Sequence, residues 1–144
     1  MEDIATERAV GYLVKRVQQG FRRRSDAALR DAGLSMSQYA VLRALADHPD
    51  ASAAELARLC FVTRQSLQDV LTGLRSSGSV DRAESPARGR ARALALTDDG
   101  ARRLELAHAA VFEVEAVMLQ GISSETQKQL AQLLARCATN LDAD

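Results

Sequence analysis

The sequence has no tryptophan, and only two cysteines, two prolines and five aromatic side chains in 144 residues. The aromatics, Tyr12, Phe21, Tyr39, Phe61 and Phe112, are too few for the stacking platforms that hold single strands or RNA. Cys60 and Cys137 cannot form a disulfide framework, and they stand in no metal-ligand spacing with each other or with His48 and His108. No apolar run approaches the ~20 residues of a membrane span. The opening MEDIATERAV carries acids where a secretory signal has bases followed by an apolar core, so a soluble cytoplasmic chain with no membrane partner is expected. Nucleophile elbows, phosphate loops and paired catalytic motifs are also missing, which leaves no catalytic residue, cofactor or metal to nominate and no reason to expect an enzyme. Net charge is absent too, with 19 basic against 19 acidic residues, so a polyanion could be met only by local segregation of charge.

What is present is an ordinary globular balance, 47% apolar and 26% charged, in a length suited to one domain. The basic residues are lopsided. Only Lys15 and Lys128 are lysine, and the other seventeen are arginine, the better fork for phosphate and guanine edges, although codon bias also produces such a ratio.

Apolar side chains three or four apart predict a first helix over residues 4–32 (Val10, Leu13, Val14, Val17, Phe21, Ala28, Leu29), stopped by Gly33. At about 29 residues it would be ~43 Å long, more than the roughly 35–40 Å of a compact domain of this size, which predicts that it extends toward a second copy. A capping box, Ser35 with Gln38, opens a helix that ends at Pro49. A second, Ser52 with Glu55, opens a short helix through Leu59 and Cys60. Thr63 caps a third that closes at Gly78. From Ser79 to Thr97 the period shifts toward two around a PARG turn, residues 86–89, which predicts a β-hairpin with a basic tip. Thr97 caps a helix closed by Gly121, and Ser123 or Ser124 starts a last one with Leu130, Leu133, Leu134, Cys137 and Leu141 on one stripe.

Helix, turn, helix and basic hairpin form a winged helix-turn-helix, so the expected fold class is mainly α, an α+β winged helix with long terminal helices. The lobe spans residues 34–97, and residues 1–33 and 98–144 are the expected dimerisation helices of a two-fold homodimer. On the helix from Thr63 to Ser76, Leu67, Val70, Leu71 and Leu74 share one arc and Gln65, Gln68, Asp69, Thr72 and Ser76 the opposite one. The expected contacts to double-stranded DNA are Thr63, Arg64, Gln65, Ser66, Gln68, Asp69, Thr72 and Arg75 on this helix. Glutamine can bond adenine bidentately, and Thr63 with the helix N-terminus can hold a phosphate. In the hairpin, Arg82, Arg88, Arg90 and Arg92 fall within eleven residues against one acid, Glu84. Guanidinium groups on a thin tip suit a narrow minor groove, with Arg82 and Arg92 on flanking phosphates.

The stretches ELARLCFVTRQSLQDVLTGLRSSGSVDR and PARGRARALALTDDG, in this order and spacing, resemble the MarR-type transcriptional regulators, and the resemblance covers nearly the whole chain. It implies a dimeric regulator, usually a repressor, on a palindromic operator near its own or a neighbouring gene. It also implies release by a small aromatic or phenolic effector bound between the dimerisation helices and the DNA-binding lobe. Tyr12, Arg16 and Tyr39 are the candidates for that effector pocket, a guanidinium and two hydroxyls suited to an aromatic acid. Two departures stand out. Arg88 occupies the place of the wing aspartate that usually precedes Arg90, and Phe61 stands at the helix-turn-helix corner where the family often has glycine, which predicts a different turn. Cys60 and Cys137 are expected as structural thiols, since the N-terminal helix lacks the cysteine through which some relatives sense peroxide. Thiol sensing through Cys60, and a winged-helix dimer that binds a small molecule or protein without DNA, are the other readings these residues leave open.

Overall fold

A computed structural model describes residues 5–83 and 94–143. The chain forms two compact units, residues 1–114 and 115–144. In the first, a short 3-10 turn at Thr6–Arg8 precedes helix α1, Val10–Leu29. Ala9 between them is extended and offers no side-chain cap, so the predicted continuous helix over residues 4–32 is broken near its start. A second 3-10 turn, Arg30–Ala32, tightens its end, and Gly33 closes it at φ 69°. The 20 residues of α1 span about 30 Å, so helix length no longer argues for a second copy. Exposure argues for it instead: only Ser25 and Leu29 are buried on α1, while Val10, Leu13, Val14 and Val17 stay exposed, Val10 at 71%.

Helix α2, Met36–Asp47, starts on the predicted capping box. Ser35 Oγ accepts the Gln38 N–H at 3.1 Å and Gln38 Oε1 accepts the Ser35 N–H at 3.0 Å, which satisfies two orphan donors. Tyr39, Val41, Leu42 and Leu45 put α2 at the centre of the core. Helix α3, Ala53–Leu59, is capped by Ser52, whose Oγ accepts the Glu55 N–H. Helix α4, Arg64–Ser76, buries Leu67, Leu71 and Leu74 against α2 and α3. Strand β1, Val80–Arg82, pairs antiparallel with β2, Leu94–Leu96, in the register Val80↔Leu96, Asp81↔Ala95, Arg82↔Leu94. The base of the predicted hairpin is thus present, while its tip lies outside the described residues. Helix α5, Asp98–Met118, follows with Ala107 and Val111 in the core.

The hairpin is bolted to the lobe through Thr97. Its Oγ1 donates to the Gly78 carbonyl at 2.6 Å and accepts the Gly100 N–H at 3.0 Å, and its own N–H donates to the Ser79 carbonyl at 3.0 Å. Gly78, at φ 79°, makes the turn out of α4, and Ser79 is fully buried with its hydroxyl against that of Ser77. The second unit contains the end of α5, a turn closed by Gly121 at φ 83° and helix α6, Ser124–Asp142, capped by Ser123. No residue of α6 is buried; Leu133, Leu134 and Leu141 are exposed, and so is Cys137, against the expectation of a packed thiol. Among the described residues, most of its apolar stripe is left exposed.

A Cβ on Gly100 would run into the carbonyl group of Ser79. Gly100→Ala should therefore cost about 2–3 kcal/mol in urea unfolding, because the obstacle is backbone and cannot rotate away. Ser25→Ala should be neutral or stabilising in the same assay, since the Ser25 hydroxyl is buried and has no partner among the described residues.

Candidate nucleic-acid interface

The three leucines that seat α4 in the core leave its other face exposed, as the face arithmetic predicted. Thr63, extended at ψ 160°, caps the helix: its Oγ1 accepts the Ser66 N–H at 3.1 Å. Thr63, Arg64, Gln65, Ser66, Gln68, Asp69, Thr72 and Arg75 are all exposed, so the structure brings the eight candidates together on one helix. They are not equally available. Gln65 Nε2 donates to Asp69 Oδ1 at 3.3 Å, which pre-orients the amide and engages one of its donors. Thr72 Oγ1 turns back to the Gln68 carbonyl at 2.8 Å. Arg75 lies 3.9 Å from Asp81 at the foot of the hairpin, a solvent-exposed pair of small energetic weight. Asp81 also accepts the Arg82 N–H at 2.7 Å. This aspartate, which sequence reasoning missed, links the end of α4 to β1, and only the fold puts it beside Arg75. Arg82 is exposed on β1, while Arg88, Arg90 and Arg92 lie outside the described residues.

At the corner between α3 and α4, Phe61 adopts φ 55°, the left-handed region that favours glycine, so a bulky residue occupies a position a glycine would take without strain. The Phe61 N–H donates to the Arg58 carbonyl at 3.2 Å and the Val62 N–H to the Ala57 carbonyl at 3.0 Å. The ring is 95% exposed.

Of the pocket candidates, Tyr39 is buried on α2, whereas Tyr12 and Arg16 lie on the exposed part of α1, and no described hydrogen bond joins either to Tyr39. Tyr39 instead meets His108 of α5, hydroxyl to Nδ1, at 3.0 Å, and receives Arg43 Nη1 at 3.4 Å. Arg43 and His108 line a cleft of about 510 Å³ with Ala46, Asp47, Leu96, Ala101, Leu104 and Glu105. Arg43, one turn beyond Tyr39, was legible as its neighbour. His108, 69 residues from Tyr39, was not. Among the described residues no group of His, Cys, Asp and Glu could hold a metal, and no helix is long and apolar enough to cross a membrane.

A model of the MarR family matches residues 32–91. The HTH-type transcriptional repressor Rv2887 of Mycobacterium tuberculosis is 32% identical over 137 residues, covering 95% of this chain and 99% of its own. The chain belongs to the MarR family. The crystal structure of Rv2887 in complex with salicylic acid superposes with a TM-score of 0.75 at 33% identity, covering 95% of this chain and 99% of that one. The structure of Rv2887 in complex with DNA gives 0.72 at 31% identity, over 90% and 97%. The MarR fold thus accounts for the order of helices and hairpin found here, a winged helix-turn-helix with long terminal helices.

Within this MarR chain Cys60 is a poor redox candidate. It is half-buried behind α3, its Sγ–H donates to the Ala40 carbonyl at 3.6 Å, and burial pushes its thiol pKa up. A raised pKa leaves less thiolate, the reactive species, at any pH below it. Iodoacetamide should accordingly alkylate Cys60 more slowly in the native protein than in urea near neutral pH, read by peptide mass spectrometry, with the gap narrowing as pH rises.

Proposed function

We propose that this chain is a ligand-responsive transcriptional repressor that binds a palindromic operator in double-stranded DNA as a homodimer and carries out no catalysis. The observation that carries the reading is the capped, polar, fully exposed face of α4, in a chain similar from end to end to a repressor whose structure has been determined with DNA. In this reading α4 enters the major groove, with Gln65 and Gln68 at base edges and Arg64 on a guanine or a phosphate. Thr63, Ser66 and the first amides of the helix hold backbone phosphate, and Asp69 and Thr72 orient their neighbours. Arg75 and Arg82 flank the groove, and Arg88, Arg90 and Arg92 supply the wing. Residues 1–33 and 98–144 are the dimerisation helices, for which the uncovered stripes of α1 and α6 are the motive. Two α4 helices related by a two-fold axis read half-sites about 10–10.5 bp apart.

The effector in this reading is a small aromatic acid. Rv2887 has been crystallised with salicylic acid, and the cleft beside Tyr39 in this chain offers a guanidinium, an imidazole and an apolar wall of Leu96, Ala101 and Leu104. Tyr12 and Arg16 join it only if the occupied form brings α1 closer. The walls come from α2, β2 and α5, the elements that hold the hairpin base, so a ligand that alters their spacing changes the pose of the wing relative to α4. Ligand and DNA then oppose each other by their differential affinity for the two poses.

Fluorescence anisotropy tests both halves. A duplex from upstream of the chain's own coding sequence should bind at least ~10³-fold tighter than a scrambled duplex. Gln65→Ala should cost about 1–3 kcal/mol on the native duplex alone, and Arg64→Ala should lower the slope of log K against log salt by about 1 on both. Salicylate should release the native duplex from the unmodified protein and fail to release it from Arg43→Ala, with DNA affinity kept. Absence of salt-dependent binding to any genomic fragment would overturn the reading in favour of a winged-helix dimer without DNA.

A further inference from the structure

Phe61 is the only non-glycine residue with positive φ among the described residues, and its ring is also the most exposed of the large apolar side chains. The turn does not need it. The backbone there is held by the Phe61 and Val62 amides on the carbonyls of Arg58 and Ala57, and by inward anchors on either side, Cys60 on the Ala40 carbonyl and Val62 against the core. A glycine would make the same turn without the clash that a Cβ meets in the left-handed region. A bulky ring held in a disfavoured conformation and packed on nothing is a feature the fold neither uses nor relieves, which directs attention to a partner.

Its surroundings indicate which. Phe61 lies two residues before Thr63, the cap of α4, between the exposed Arg58 and Arg64, and next to Leu59, also exposed. Cations on either side of an apolar knob match a nucleic-acid strand edge, where apolar deoxyribose alternates with phosphate. We infer that Phe61 packs against deoxyribose on the strand bordering the groove that receives α4, as an uncharged anchor of DNA binding. The inference rests on the DNA-binding reading above. Because sugar is common to every sequence, the contact raises affinity for all duplexes alike, and because it is uncharged it displaces no counterion.

The test compares Phe61→Gly and Phe61→Tyr with the unmodified protein, by thermal unfolding and by anisotropy on the upstream duplex and on a mixed-sequence duplex of about 30 base pairs over a salt series. Phe61→Gly should melt about 2–4 °C higher, because the strain is gone, yet bind both duplexes about five- to tenfold more weakly with an unchanged salt slope. Phe61→Tyr keeps the ring and should bind like the unmodified protein. Undiminished binding by Phe61→Gly overturns the inference while leaving the DNA-binding reading intact, and assigns the ring to another partner. A loss on the upstream duplex alone would also overturn it, since that is base recognition. If the unmodified protein binds neither duplex, both readings fall together.

Discussion

The lobe is organised around one small polar knot, the hydroxyl and amide of Thr97 bonded to Gly78 and Ser79 just beyond α4. Gly78 turns the chain out of α4, Ser79 passes beneath α5, and Gly100 lets the first turn of α5 rest on the Ser79 carbonyl. One hydroxyl therefore caps α5 and ties β2 to the end of α4, so that helix and hairpin base share a frame of reference. Both hydrogen bonds of that hydroxyl and the absence of a Cβ at Gly100 are needed together, since a displaced Ser79 would carry β1 with it. The separation of α4 and the hairpin base is thereby set by the fold.

Around that frame the chemistry divides by burial. The buried side of α4 is three leucines on α2 and α3, which makes the helix a rigid platform, while its exposed side carries side chains that already hydrogen-bond one another or their own backbone. Such pre-orientation lowers the ordering cost of an interface. On α2, Tyr39 is part of the core and its hydroxyl meets Arg43 and His108. A buried phenol bonded to an imidazole on α5 makes the α2–α5 contact polar, and therefore more sensitive to an inserted carboxylate than an all-aliphatic contact would be. The cleft draws Leu96 from β2, so it shares that strand with the base of the hairpin.

Much of this was legible in the residues. The caps at Ser35, Ser52, Thr63 and Thr97, and the closing glycines 33, 78 and 121, act over three or four positions, so local pattern suffices to read them, while the last cap, open between Ser123 and Ser124, falls on Ser123. The leucine arc of α4 follows from helical period alone. The limits are equally specific. The break at Ala9 left no signal, because the apolar period runs through residues on both sides of it. At Phe61 the residue type gave no sign of a left-handed backbone, which the hydrogen bonds and inward anchors on either side hold. His108 beside Tyr39 joins positions 69 residues apart, and Asp81 meets Arg75 across the turn out of α4, so both depend on packing that no local pattern encodes.

By itself, the sequence determined the element order, the capped helix starts, the two faces of α4 and the membership of the MarR family, because each is written in short-range periodicity, capping chemistry and motif spacing. Only the tertiary structure decided that Thr97, Ser79 and Gly100 lock the hairpin base to the end of α4, that Tyr39 faces an imidazole and a guanidinium, and that a phenylalanine stands strained and bare at the corner before α4. The reason is geometric. A hydrogen bond between residues far apart in the chain, or a strain balanced by neighbours on both sides, exists only once the core has brought those segments within a few ångströms, and burial then settles which conformation prevails.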